Sequence, residues 1–258
     1  MKKLIFSALV ATALFVSSCG KDDDNGGGST SLNGDWYIYT IYNDLDGKGL
    51  RWITPDNCTQ KTYWSISDKK IKYEGYSNCK YYPIYYDYTT NNGVINATVS
   101  EDSPNGNKGG TASIKYEIKD KELILRFKNN RQQEEINVLH KKGVDYNYLD
   151  PFVGYWIMTK ATVGQTEAIV QEGKCLYGSI VASSLGFTLY LNFPEQNGQC
   201  KKTINTYEWV KEGNKYYDIT DPQNKEELAL VFSENNTKLS YSTPSDNGLV
   251  TIYLTKVR

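Results

Sequence analysis

The sequence predicts an all-β protein built from two tandem antiparallel up-and-down barrels behind a cleaved export signal. Three observations lead to this fold class: a Gly-x-Trp motif occurs twice, two cysteines follow each copy, and apolar residues recur with a period of two. A period of two is that of a strand with one buried face, whereas a helix has a period of about 3.6. Closing such strands into a barrel removes the exposed edges of a sheet.

Residues 1–18 are predicted to be an export signal that is removed. Lys2 and Lys3 give a positive start, and the apolar run behind them, about a dozen residues, is too short to span a bilayer. The run ends in Val16-Ser17-Ser18-Cys19, which resembles the lipobox of bacterial lipoproteins, where cleavage leaves an acylated cysteine. By that resemblance the acyl chains on Cys19 anchor the protein to a membrane. The alternatives are an ordinary cleaved signal with an incidental cysteine and an uncleaved N-terminal helix.

Residues 19–31 are predicted to carry the lipidated cysteine and a flexible tether. Lys21-Asp22-Asp23-Asp24-Asn25 resembles the acidic signal that follows the lipid cysteine in surface lipoproteins of Bacteroides-type bacteria. The Gly/Ser-rich residues 26–31 continue the tether. The resemblance implies a lipid-anchored protein of the outer membrane that faces outward. The alternatives are a solvated spacer and a protein that faces the periplasm.

Two barrels are predicted, at residues 32–145 and 152–258, with a linker at residues 146–151 that carries turn and breaker residues. Gly34-Asp35-Trp36 opens the first copy and Gly154-Tyr155-Trp156 opens the second. Apolar residues alternate in about eight segments of each copy, which are the predicted strands. These are 36–42, 62–67, 70–76, 81–88, 94–99, 114–118, 123–127 and 136–140 in the first copy, and 155–162, 176–182, 187–193, 203–210, 216–219, 228–232, 238–241 and 250–254 in the second.

Cys58, Cys79, Cys175 and Cys200 are predicted to form two disulfide bonds. Four cysteines allow three pairings, and the residues alone do not choose among them. The repeat favours Cys58 with Cys79 and Cys175 with Cys200, because these pairs occupy equivalent positions in the two copies. Export would place them where disulfides persist. A zinc site of four thiolates is the alternative, but the close cysteine spacing typical of such sites does not occur here.

The two Gly-x-Trp starts, each opening about eight antiparallel strands, are similar to the start of lipocalins. The likeness extends to the lipocalin-like (calycin) domains of Bacteroides-type surface lipoproteins, in which a cysteine pair follows the tryptophan. By this resemblance Trp36 and Trp156 plug the closed ends of their barrels, and a basic residue after the last strand stacks on each plug. Core aromatics of another β-sandwich are the alternative. The candidates for stacking are Lys141 or Lys142 and Lys256 or Arg258.

No enzyme activity, cofactor or metal site is expected. His140 is the single histidine, and one imidazole cannot form a histidine metal cluster. Adjacent carboxylates such as Glu134-Glu135 lie in predicted turns or at strand edges, where charge is usually solvated. No Gly-x-Ser-x-Gly elbow occurs. The formal net charge of −1 gives no reason to expect nucleic acid as a partner.

The barrels are expected to bind a small apolar or aromatic molecule. The chain has 22 tyrosines and five tryptophans, and such rings can pack against an apolar guest or stack on a sugar. The alternative is a surface adhesion or glycan-binding accessory protein that uses exposed tyrosines, and an enzyme is a third hypothesis. The sequence identifies no protein partner, so the membrane and the ligand are the expected partners. The candidate ligand-binding residues are Trp64, Tyr73, Tyr86 and Trp209.

Overall fold

A computed structural model describes residues 31–44, 47, 49–77, 79–128, 132–170, 175–194, 199–245 and 248–257. The predicted signal segment, Cys19 and the tether as far as Thr30 lie outside the described residues. Within the described residues the chain forms strands and one short 3-10 turn, Thr59–Lys61, and no α-helix. The strands build two sheets, each closed into an antiparallel barrel.

The first barrel is built from β1 (Gly34–Asn43), β2 (Arg51–Ile53), β3 (Tyr63–Ser67), β4 (Lys70–Ser77), β5 (Lys80–Asn91), β6 (Val94–Val99), β7 (Thr111–Lys119), β8 (Glu122–Lys128) and β9 (Glu134–Lys141). Eight of these strands follow one another around the barrel, and the pairing of β1 with β9 closes it. The short strand β2 is the exception, because it pairs only with the second half of β1.

The second barrel repeats this arrangement with β10 (Gly154–Val163), β11 (Thr166–Ile169), β12 (Tyr177–Ala182), β13 (Gly186–Pro194), β14 (Cys200–Glu212), β15 (Lys215–Asp218), β16 (Glu226–Ser233), β17 (Lys238–Ser245) and β18 (Gly248–Lys256). The pairing of β10 with β18 closes the barrel, and the short strand β11 pairs with the second half of β10. The predicted fold class of two up-and-down barrels is therefore confirmed.

The first strand of each barrel divides one of its edges between two partners. In β1, residues 34–37 pair with β3 and residues 41–43 pair with β2, while the opposite edge pairs with β9. β10 divides its edge between β12 and β11 in the same manner. Each predicted strand overlaps an observed strand, but β2 and β11 were not predicted.

Apolar side chains from alternate strand positions line the inside of each barrel. Trp36, Ile71 and Leu125 are fully buried in the first barrel, and Trp156 and Ile180 are fully buried in the second. Burying one large apolar side chain contributes roughly 1.5–3 kcal/mol. These two cores are therefore the main stabilising feature of the fold.

The two barrels pack against each other through a third apolar cluster. Trp52 of β2 is buried there with Ile124 of the first barrel and Val181 of the second. The Trp52 backbone nitrogen donates to Thr188 Oγ1 at 2.8 Å, and its backbone oxygen accepts from the Tyr190 hydroxyl at 2.7 Å. β2 thus bonds to β1 along one edge and to the second barrel through Trp52.

Candidate functional site

Both predicted disulfide bonds are present. Cys58 bonds to Cys79 across a sequence separation of 21, and Cys175 bonds to Cys200 across a separation of 25. The first bond ties the start of the 3-10 turn to the turn between β4 and β5. The pairing inferred from the repeat is therefore confirmed, and each bond closes a loop within its own barrel.

Trp36 and Trp156 occupy equivalent places near the start of the first strand of each barrel. Both are fully buried, and each Nε1 donates a 2.8 Å hydrogen bond to the backbone oxygen four residues earlier. Lys141 Nζ lies 5.3 Å from the centre of the Trp36 ring, and Lys256 Nζ lies 5.3 Å from that of Trp156. Burial lowers the pKa of Lys256. Closure of the barrel ends by these tryptophans stays a prediction.

Three of the four candidate ligand-binding residues meet inside the first barrel. Trp64 of β3 and Tyr73 of β4 are directly opposite each other, with ring centres 5.2 Å apart. Tyr86 of β5 packs against the same core. Trp64 is 7% exposed, and its Nε1 is buried with no hydrogen-bond partner. An aromatic group with one unsatisfied donor therefore faces the inside of the first barrel.

The fourth candidate, Trp209, lies apart from the others in the second barrel. Its ring packs edge-on against Phe152, 5.3 Å away, and its Nε1 donates to the backbone oxygen of Ser183 at 2.9 Å. Since its polar atom is satisfied and its ring packs on the core, Trp209 has the contacts of a structural residue.

Polar side chains that were not predicted as site residues also face the inside of the first barrel. In β9, Leu139 belongs to the inner core. Strand side chains alternate between the two faces, so Asn137 and Glu135 lie on the same inner face as Leu139. Asn43 Nδ2 of β1 donates to Glu135 Oε2. Asn137 is 4% exposed, and its Oδ1 is buried without a partner. The expectation that Glu134-Glu135 is solvated surface is thus wrong for Glu135, because the pleat turns it inward.

The electrostatics of this interior are set by burial. Burial raises the pKa of Glu135, and the amide of Asn137 beside it opposes the rise. Burial and then the charge of Glu135 raise the pKa of Tyr73. The polar and aromatic groups thus form an electrostatic cluster on the inner face of the first barrel, in which the charge of Glu135 acts on the Tyr73 hydroxyl and Tyr73 contacts Trp64.

Two cavities lie at the junction of the barrels, on opposite faces of β2. Arg51 and Ile53 line a cavity of about 370 Å³ together with residues of the second barrel. Leu50 and Trp52 line the other, of about 460 Å³, on the opposite face. Alternate strand residues face opposite sides, which places these two pairs in different cavities. Neither cavity was predicted, because each forms between segments distant in sequence.

The single histidine is held in a stack of rings. The His140 ring lies 4.0 Å from that of Tyr39 and 3.8 Å from that of Tyr146, and its Nε2 is 2.7 Å from Glu122 Oε1. Glu122 is buried. In the described part of the chain, no three His, Cys, Asp or Glu side chains come together as a metal site.

Comparisons with known proteins give remote structural likenesses. No protein-family model matches the chain, and no curated protein matches it. A protein of unknown function from the DUF3598 family of Nostoc punctiforme PCC 73102 is 9% identical, with 88% of this chain and 96% of that chain covered and a TM-score of 0.25. The isotype 1 transferrin binding protein B of serogroup B Neisseria meningitidis is 12% identical, with 76% and 66% covered and a TM-score of 0.19. TM-scores this low assign neither fold nor function.

The fold and its two disulfide bonds define the class of protein. The chain is an all-β protein of two tandem eight-stranded antiparallel barrels, each with one disulfide bond. None of the described segments forms a helix with the length and apolar character that crossing a membrane requires.

Proposed function

We propose that this chain is a surface lipoprotein of the Bacteroides type, anchored in the outer membrane by acylated Cys19 and facing outward. We further propose that it binds a small molecule with an aromatic or apolar part and catalyses no reaction. The lipobox-like residues 16–19 and the acidic residues after them support the anchor. An eight-stranded barrel has an interior that is either filled by side chains or able to hold one small ligand.

One observation carries the binding function: the aromatic cluster inside the first barrel contains a buried indole N–H without a partner. That donor belongs to Trp64, next to Tyr73 and near Tyr86. A buried donor left unpaired costs roughly 1–3 kcal/mol of stability. A ligand acceptor that reaches Trp64 would recover this free energy, and the surrounding rings would cover its apolar part.

The test uses the mature protein, residues 19–258, purified in detergent. Native mass spectrometry would detect retained small molecules, and titration with the extracted compound would give its affinity. The variants Tyr86→Leu and Tyr207→Leu are matched, because both tyrosines lie at equivalent register positions of the two barrels. We expect Tyr86→Leu to weaken binding about tenfold or more, while Tyr207→Leu leaves binding unchanged. Equal loss in both variants, or no bound molecule in any preparation, would contradict the proposal.

A second candidate function is glycan binding through exposed tyrosines. Tyr81 is 55% exposed on the outer face of β5, and its ring centre lies 5.6 Å from that of Tyr76 on β4. Their planes are tilted by 54°, so the pair offers two separate faces and no single flat platform. Binding to a glycan array that disappears in Tyr81→Ser, with the interior variants unaffected, would favour this function.

A further inference from the structure

The second barrel provides an internal comparison for the polar interior of the first. In register, Trp36 faces Trp64 across β1 and β3, and Trp156 faces Ile180 across β10 and β12. The same alignment can be extended strand by strand. Five residues of the second barrel then correspond to five of the first: Ile180 to Trp64, Leu189 to Tyr73, Ile252 to Asn137, Val163 to Asn43 and Val250 to Glu135.

Every one of these five positions is apolar in the second barrel and polar or aromatic in the first. Ile180, Leu189 and Ile252 belong to the buried core of the second barrel. The same topology therefore closes without an indole, a phenol, an amide or a carboxylate at these places. Since the fold does not require the polar groups, their presence in the first barrel calls for another explanation.

Two buried atoms of this cluster have no partner. Asn137 Oδ1 is an acceptor without a donor, and Trp64 Nε1 is a donor without an acceptor. Each unpaired buried group has a cost of roughly 1–3 kcal/mol, so natural proteins keep few of them unless water or a ligand satisfies them. The cluster thus offers an occupant one free acceptor and one free donor of hydrogen bonds.

Glu135 is the carboxyl group of this cluster. No Lys or Arg of the described residues forms an ion pair with Glu135, whose Oε2 accepts from the neutral amide of Asn43. Glu135 is partly exposed at the start of β9, at the end of the barrel opposite Trp36, so it can be reached from solvent. A positively charged occupant would compensate this carboxylate, because burial makes an uncompensated charge unfavourable.

The geometry points to a small protonated organic amine as the ligand of this interior, and we propose that Glu135 and Asn137 accept its N–H groups. An ammonium group has three donors and no acceptor, which suits two oxygen acceptors side by side. The ring faces of Trp64 and Tyr73 attract a cation, with Trp the strongest of the aromatic side chains. An oxygen elsewhere on the ligand would accept from Trp64 Nε1. This inference rests on the proposed function, since it names the ligand class of the same site.

The experiment compares three probes of one shape on the mature protein by isothermal titration calorimetry at neutral pH. Benzylamine is cationic, benzyl alcohol is neutral and benzoate is anionic. We expect benzylamine to bind at least about tenfold more tightly than benzyl alcohol, and benzoate not to bind. Equal affinity for the alcohol, tighter binding of benzoate, or no binding of benzylamine would overturn the amine proposal. Binding of the alcohol or of benzoate that Tyr86→Leu weakens would still support the proposed function.

Substitutions of single residues test whether the carboxylate of Glu135 is the group that binds the amine. Glu135→Gln keeps the shape and removes the charge, and we expect it to weaken benzylamine binding about tenfold or more. Glu134→Gln is the matched control, because Glu134 lies on the outer face next to Arg126, at 3.9 Å, and loses the same charge. Asn137→Ile installs the residue of the second barrel and should also weaken binding. Unchanged benzylamine affinity in Glu135→Gln would show that the carboxylate does not hold the amine, and would overturn the proposal.

Discussion

The indole nitrogen of Trp52 lies 2.5 Å from the point where a Cβ on Gly186 would stand. Trp52 belongs to the first barrel and Gly186 to the second, so the absence of a side chain at one position makes room for the largest side chain at the other. The Trp52 backbone also bonds to Thr188 and Tyr190. The contact between the barrels is therefore built around one tryptophan.

We predict that Trp52→Ala separates the unfolding of the two barrels. Removing a buried tryptophan typically costs about 3–5 kcal/mol, and here the loss falls on the junction. Urea denaturation followed by circular dichroism should show either two separate transitions or one transition with this loss in the free energy of unfolding. Thr188→Val, which removes the acceptor of the Trp52 N–H and the hydroxyl bonded to Thr206, should cost about 1–3 kcal/mol. A Trp52→Ala protein with an unchanged denaturation curve would contradict the docking described here.

Each disulfide bond should stabilise its own barrel. Replacing Cys58 and Cys79 together by Ser opens a loop of 21 residues, and replacing Cys175 and Cys200 opens one of 25. On the chain-entropy model either change lowers the free energy of unfolding by roughly 3 kcal/mol. Denaturation of the two double variants measures both effects, and peptide mapping of the wild type checks the pairing. Equal loss of both barrels in each variant would argue against separate contributions.

The free energy of unfolding of the first barrel should fall as the pH rises, because the partly buried carboxyl of Glu135 loses its proton. Burial raises the folded-state pKa of this carboxyl above its unfolded value. The native state then holds the proton more tightly, so the contribution is present below the unfolded pKa and is lost as the pH rises through the folded pKa. As the pH rises above the usual range of a glutamate pKa, about 4, wild type should lose stability relative to Glu135→Gln. Urea midpoints of both proteins at increasing pH measure the difference, and a gap independent of pH would refute it.

The lysine over each buried tryptophan should contribute a small, separable amount. Lys141→Met removes the cation 5.3 Å from the Trp36 ring and should lower stability by about 1 kcal/mol. Lys142→Met is the control, because this neighbouring side chain is exposed. Thermal unfolding of both variants gives the comparison. An equal shift in the two melting temperatures would mean that net charge, and not the ring contact, is responsible.

The sequence was sufficient for the strands that alternate over five residues or more. It was not sufficient for β2 and β11, because three or four residues do not establish a period, although β15, also four residues long, was predicted at residues 216–219. The role of Ile124 was also missed: alternation assigns it to the solvent face of β8, whereas the second barrel covers that face. The continuous apolar run of residues 123–125 was the available signal, since strands buried on both faces lose their alternation.

The polar interior could not be predicted for a different reason. Glu135 and Asn137 lie at the start of an ordinary alternating strand, and nothing local distinguishes their face from the outer one. Their significance depends on the register between β1 and β9 and on the equivalent pairs in the second barrel. The register between strands depends on which strands pair in the folded protein, so it could not be predicted from this sequence alone.

The shared register of the two barrels has an evolutionary consequence. Ile252 and Asn137 occupy the same place in two copies of one architecture, and one side chain is apolar where the other is polar. Two modules of one architecture allow division of labour, in which one keeps an apolar core while the other can carry polar groups. A polar substitution inside the first barrel leaves the separate apolar core of the second barrel intact.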